Sequence, residues 1–153
     1  YATHLNAELF RLALGKLAHP SIVKDPTKRV SWKSAVLVGG GWKPGRSTDY
    51  DAVLLAKMFG ASELVNVSNI DYVYTADPKK DPNARALPQM KWSELIGMLP
   101  AEWSPNLSSP FDPIAARLAE KQKLTVSIVN GSSLADVARA LDGMPFRGTV
   151  ITP

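Results

Sequence analysis

Short apolar runs that alternate with stretches of helical period limit what this chain can fold into more than any other feature. The runs are Ser34-Ala35-Val36-Leu37-Val38, Glu63-Leu64-Val65-Asn66-Val67, Leu124-Thr125-Val126-Ser127-Ile128-Val129 and Gly148-Thr149-Val150-Ile151. Each has the length of a strand, and the run at 124–129 is also rich in β-branched residues. Between the first two, Ala52, Leu55, Ala56 and Phe59 recur at helical spacing over residues 49–59, with Gly60 placed as the C-cap. Residues 92–98 read as a short helix. Residues 113–121 form another, opened by Pro113 in a favoured first-turn position, and Ser133 caps a third that runs through Leu141. Strands alternating with helices argue for an α/β layered fold with a mainly parallel sheet.

A helix over residues 3–17 precedes the first run, with Thr3 as its N-cap and Pro20 closing it. Leu5, Leu9, Leu12 and Ala13 form one apolar set, and Phe10, Leu14 and Leu17 a second. That is wider than the single stripe of a surface helix, so burial on two sides, or at a subunit contact, is expected. Asp25-Pro26-Thr27-Lys28 is a turn. Pro100, Pro105, Pro110 and Pro113 make residues 99–113 a loop.

Composition removes several function classes. The 153 residues suit one domain, and no apolar run approaches the ~20 residues that span a bilayer. A net charge of +4 could serve nucleic acid, but the basic residues are scattered among acids, with Lys28-Arg29 and Lys79-Lys80 the longest runs. A solvated surface plus a pocket for anionic nucleotides accounts for the surplus. Zero cysteines rule out disulfides and thiolate metal sites, and fit a reducing cytoplasm. His4 and His19 are isolated and read as surface helix residues rather than metal ligands. The chain opens without Met and directly on a helix, as a piece of a longer protein would.

The chemistry concentrates in two segments. Gly39, Gly40 and Gly41 follow the first apolar run, at the end of a strand where ligands collect in open α/β sheets. Glycines let backbone amides approach a phosphate, and Gly45 permits a turn that other residues would strain. Ser47 and Thr48 open the next helix, whose N-terminus favours anions, while Lys43 and Arg46 supply charge. Taken alone, this is equally a turn before a capped helix. The second segment, Ser68-Asn69-Ile70-Asp71-Tyr72-Val73-Tyr74-Thr75-Ala76-Asp77-Pro78, follows the run at 63–67. Small polar groups, an aromatic face and an Asp-Pro turn there make a plausible nucleotide pocket.

The second segment resembles the "TNVDGVYTADPKKDP" block of the amino acid kinase family, in its uridylate (UMP) kinase branch. Gly39-Gly40-Gly41-Trp42-Lys43-Pro44-Gly45-Arg46-Ser47-Thr48-Asp49 is similar to a second block of that branch, in matching order and spacing. Asp112-Pro113-Ile114-Ala115-Ala116 resembles its "DPLAA" helix start, and Gly148-Thr149-Val150-Ile151 its closing strand. Tyr72 stands where family members commonly have glycine, and Ser68 replaces their Thr.

The resemblance implies a three-layer amino acid kinase fold over residues 1–153, carrying the acceptor loop and the ATP-binding half. It implies ATP with Mg2+, and transfer of the γ-phosphoryl group to UMP. Gly40, Gly41, Trp42, Lys43, Pro44, Gly45, Arg46, Ser47 and Thr48 would surround the acceptor and its phosphate. Asp49 would hold the catalytic charges in place, and Ser68, Asn69, Tyr74 and Asp77 would contact ATP. Asp112 reads as a helix cap before a phosphate ligand. Relatives open with a strand bearing a catalytic lysine. Its counterpart is missing from these residues, so they read as a C-terminal portion that is itself a poor catalyst. The family also implies a homo-oligomer, a hexamer. Other acceptors of the same fold (carbamate, acetylglutamate, aspartate, isopentenyl phosphate) and a non-catalytic nucleotide-binding protein are the alternatives.

Overall fold

A computed structural model describes residues 2–100 and 109–153 of the chain. In chain order the elements are α1 (Ala2–Leu14), α2 (Thr48–Phe59), β1 (Glu63–Ser68), β2 (Val73–Tyr74), β3 (Ala86–Leu87), β4 (Gln89–Lys91), α3 (Trp92–Met98), α4 (Pro113–Lys121), β5 (Thr125–Asn130), α5 (Leu134–Leu141) and β6 (Gly148–Thr152). Of the loop expected at 99–113, residues 101–108 lie outside the described part.

The main sheet runs β1-β5-β6-β4. β1 and β5 are parallel, from Glu63 opposite Thr125 to Ser68 opposite Asn130. β4 is parallel to β6, and the β5–β6 pairing is antiparallel. Side chains alternate across a strand, and here each set meets its own layer. Leu64, Val126, Ile128 and Ile151 join Val53, Ala56, Ala115, Ala116 and Ala119 of α2 and α4 in the main core. Trp92 and Leu95 of α3 are fully buried in the same core, and the Trp92 indole N–H donates to the Leu124 carbonyl at 2.7 Å. Val65, Ser127 and Val150 face the opposite way, toward Ala140 of α5. Helices on both faces of a mainly parallel sheet make the expected three layers. No helix among the described residues is long and apolar enough to cross a membrane.

Three expectations change. Residues 34–38 are not a strand of this sheet: they touch residues 18–23 through isolated parallel bridges, Ala18 to Val36 and Val23 to Gly39. The offset between partners shifts by two residues between those bridges. Pro20 lies in the gap and has no N–H to continue a ladder. The pairing survives as separate bonds, from His19 N to Val36 O (2.8 Å) and from Val23 N to Val38 O (2.8 Å). The glycines therefore follow an extended segment outside the main sheet. It packs with α1 in a second small core of Ala7, Ala18, Ile22 and Val38.

The second change concerns α1, which is not buried on two sides within the chain. Ala7 is its buried residue, while Leu5, Leu9, Phe10 and Leu12 are exposed. The helix also stops early, passing into a 3-10 turn at Gly15–Leu17 where Gly15 takes φ +55°. Thr3 sits inside the first turn rather than capping it. Third, the ribbon of β2 and β3 was not foreseen. It hangs on a buried hydroxyl: Thr149 Oγ1 accepts from Val73 N (2.9 Å) and donates to Leu87 O (2.7 Å).

Candidate functional site

The glycine loop is built from its neighbours inward. Ser47 caps α2 by accepting from Tyr50 N at 3.1 Å, and Gly60 ends the helix at φ +69°. Before the cap, Gly45 takes φ +80° in a turn closed by Arg46 N to Lys43 O (3.2 Å). Gly40 and Gly41 are needed for a different reason. A Cβ on Gly40 would lie 2.6 Å from His4 Cδ2, and one on Gly41 would lie 2.8 Å from Thr3 Oγ1. The first turn of α1 thus rests against these glycines. One peptide of the loop is gripped at both ends: the Gly41 carbonyl lies 2.7 Å from His4 Nε2, and the Trp42 N–H donates to Asp51 Oδ2 at 2.8 Å.

Asp49 leaves the capping of α2 to Ser47 and reaches across the fold. Its Oδ1 accepts from Asn66 Nδ2 of β1 (3.1 Å) and its Oδ2 from Asp112 N (3.0 Å). Burial pushes its carboxyl above the ordinary Asp range and the Asp112 charge adds to the rise, while the Asp112 and Asn66 donors pull it down. Asp112 is itself the N-cap of α4, accepting from Ile114 N (2.6 Å) and Ala115 N (2.8 Å). The capping role expected for it is therefore the one it fills. Asp49 ties the end of the glycine loop to β1 and α4 together.

The two loop cations are folded onto aromatic rings. Lys43 Nζ stands 4.0 Å from the Trp42 ring centroid, and Arg46 Cζ stands 4.8 Å from that of Tyr50. Such contacts are worth only about 0.5–1 kcal/mol at exposed sites. An anion could draw both groups away at little cost. Pro44 is exposed between them.

On the other side of the fold, Ser68 ends β1 and its carbonyl accepts from Gly131 N at 2.8 Å. Asn69 is exposed. Asp71 joins the carboxyl end of β5 to the start of β6, accepting from Asn130 Nδ2 and from an Arg147 guanidinium nitrogen, each at 2.7 Å. Tyr74 lies in β2, half-buried, with Tyr72 edge-on at 6.3 Å between centroids. Asp77 stands in an exposed turn, where Oδ1 accepts from Lys79 N (3.0 Å) and Oδ2 lies 3.8 Å from Lys80 Nζ.

Residues 22–130 match the model of the amino acid kinase family. The chain belongs to the amino acid kinase family. Among curated members, it is 34% identical to the uridylate kinase of Hyperthermus butylicus, over 99% of this chain and 67% of that protein. It is 36% identical to the uridylate kinase of Methanococcoides burtonii, over 88% of this chain and 59% of that protein. The solved uridylate kinase of Archaeoglobus fulgidus superposes with a TM-score of 0.79 at 30% identity, covering 99% of this chain and 68% of that one. The UMP kinase of Ureaplasma parvum, with a TM-score of 0.72 at 22% identity, shares the fold. The chain spans about two thirds of the length of these relatives, and less of the Methanococcoides protein.

Within this amino acid kinase fold, one cavity of about 350 Å³ lies under the glycine loop, and it is lined by Gly40, Gly41 and Thr48 of the expected acceptor set together with Thr3, Asn6 and Asp51. A larger one of about 450 Å³ contains none of the expected site residues. It reaches Glu63 and Thr125, the first residues of β1 and β5, whereas ligands of open α/β sheets bind beyond the carboxyl ends. The smaller cavity is the one that the expected acceptor residues line. Sequence reasoning missed His4 and Asp51. His4, expected at the helix surface, is half-buried and lies against the Gly41 carbonyl. Asp51 carries no local signal, since a carboxylate in the first turn of a helix is already accounted for by the helix dipole, and its burial exists only in the fold.

Proposed function

We propose that the protein carrying this chain is a uridylate kinase, which transfers the γ-phosphoryl group of ATP to UMP and releases UDP and ADP. The observation that carries this reading is the run of similarity to uridylate kinases over nearly the whole chain, together with a glycine loop whose last residue, Asp49, bonds to the strand leading into the ATP segment. A phosphate oxygen of UMP attacks the γ-phosphorus while the bond to the β–γ bridging oxygen breaks. Such transfers depend on positioning and on charge placed around the phosphoryl group.

In this reading, residues 40–48 cradle the acceptor, and Lys43 and Arg46 exchange their aromatic partners for its phosphate. Asp49 keeps the loop, β1 and α4 in one arrangement. Ser68 and Asn69 contact ATP, while Tyr74 and Asp77 bound its adenosine. Among the described residues, no group of three His, Cys, Asp or Glu side chains could hold a metal ion. Mg2+ would enter on the ATP phosphates, which is its usual mode of binding in kinases. The reading further includes a cytoplasmic enzyme and a homo-oligomer, with the exposed apolar residues of α1 as part of the subunit contact.

The test is ADP formation by the full-length protein with ATP and a panel of acceptors: UMP, carbamate, acetylglutamate, aspartate and isopentenyl phosphate. UMP is expected to give the highest kcat/KM. A higher value for another acceptor overturns the assignment, and absence of turnover with all of them points to a nucleotide-binding protein.

A further inference from the structure

The Gly41–Trp42 peptide is a single planar unit, and a different helix holds each of its ends. His4 of α1 lies at the carbonyl and Asp51 of α2 receives the N–H. A loop of glycines has many backbone conformations to choose from, and fixing one peptide plane removes much of that freedom. The Asp51 contact is accompanied by a cost that a purely structural residue would avoid. Asp51 is 4% exposed, and its second oxygen, Oδ1, is buried without a hydrogen-bond partner in the cavity under the loop. A buried acceptor left unpaired is costly, and an alanine or valine at this position of α2 would avoid the cost. Gly40 and Gly41 add a second constraint, because a Cβ at Gly40 would displace the His4 ring from its place and one at Gly41 would displace the Thr3 hydroxyl.

We propose that His4 and Asp51 are positioning residues: by clamping the Gly41–Trp42 peptide, they hold the glycine loop in the conformation that receives the acceptor's phosphate. They touch the loop and not the reacting atoms. The inference rests on the acceptor role proposed above for this loop. Its selectivity follows from the geometry, since both contacts act on the acceptor loop and the ATP segment hangs instead on Thr149 and Asp71. Losing either clamp contact lets the loop spread over other conformations, and apparent affinity falls by the fraction that remains competent.

The experiment uses the full-length protein and reads binding without turnover. UMP, inorganic phosphate and ATP are each titrated calorimetrically into the parent, His4→Phe, Asp51→Ala and Asp51→Asn, with melting temperature and hydrogen exchange of the Trp42 amide recorded for each. Asp51→Ala and His4→Phe are expected to weaken UMP and phosphate roughly tenfold and to leave ATP within about twofold. Trp42 amide exchange should speed up in Asp51→Ala. Asp51→Asn keeps a carbonyl for the Trp42 N–H and should restore binding to near the parent value. A merely structural residue would weaken all three ligands together, in step with the melting temperature, and that pattern overturns the proposal. So does unchanged UMP and phosphate affinity in Asp51→Ala while the Trp42 amide exchanges freely. A parent that binds phosphate but not UMP counts against uridylate as the acceptor, and the phosphate series then still decides the clamp. A parent that binds neither overturns the clamp as a ligand-positioning device.

Discussion

The acceptor-side loop at 39–49 and the donor-side segment at 68–77 are held in place by different means. The first contributes no strand to the main sheet: its start is bonded to Val23 through the backbone (Gly40 N to Val23 O, 3.0 Å), and beyond Gly40 it is held by His4, Asp51, Asn66 and the Asp112 N–H. The second grows directly out of β1 and continues into a two-stranded ribbon, with one buried threonine and one aspartate tying it to the sheet. A loop positioned by remote side chains is sensitive to single substitutions far from any ligand. A segment positioned by backbone pairing tolerates them except at its few anchors. The two sides should therefore fail separately when mutated, with Asp49 joining them through its bond to Asn66 of β1.

Asp49→Asn should break this arrangement most. Both carboxylate oxygens accept from N–H donors, so an amide there sets its own N–H against one of them. The expected result in the full-length enzyme is a kcat lowered on the order of 10²–10³-fold, with little change in KM for UMP. Steady-state kinetics beside a thermal melt checks it. Near-parent kcat with a slightly lower melting point would reduce Asp49 to a structural tie.

Thr149→Val sharpens the comparison from the other side. It removes the hydroxyl that both accepts from Val73 and donates to Leu87, leaving two ribbon groups unpaired. A loss of about 1–3 kcal/mol in stability is expected, read as a shift in the denaturant midpoint. ATP should bind more weakly while UMP affinity holds. Equal losses for both nucleotides would mean that the two sides are not separately anchored.

The smallest effect concerns pH. Burial raises the Asp51 carboxyl, opposed by the Trp42 amide and the Arg46 charge. A carboxyl that holds its proton more tightly when folded stabilises the fold at low pH. That contribution is lost as pH rises from the ordinary Asp value of about 3.9 through the raised folded value. Asp51→Asn lacks the proton, so its stability relative to the parent should grow as pH climbs through that window and level off above it. Denaturation at a series of pH values gives the difference curve. A flat difference would mean that Asp51 titrates normally.

The sequence carried β1, β5, β6 and most helices well, because their residues agree with their environment at every level, while the three-residue edge strand β4 was too short to show. β1 and β5 fall where the apolar runs predict, and α3 and α4 match to the residue, the latter through Asp112 and Pro113 at its start. Residues 34–38 looked equally like a strand, since an apolar run does not disclose its partner, and here the partner is interrupted by Pro20. The β2–β3 ribbon was hidden because its strands have two residues each and depend on Thr149, distant in sequence. The same limit applies to the acceptor side. Its glycines and cap were readable from local chemistry, whereas the grip of His4 and Asp51 on one peptide exists only after α1 and α2 have docked. The apolar width of α1 suggested burial that the chain does not itself provide.

Residue-resolved amide shifts of the full-length protein, followed on adding UMP and then a non-hydrolysable ATP analogue, test the two-sided account most directly. The account predicts that UMP moves the amides of Gly40, Gly41, Trp42 and Thr48, that the ATP analogue moves those of Ser68, Asn69, Tyr74 and Asp77, and that Asp49 responds to both. Both ligands moving one common set, or UMP perturbing the 68–77 segment in place of the glycine loop, would contradict it.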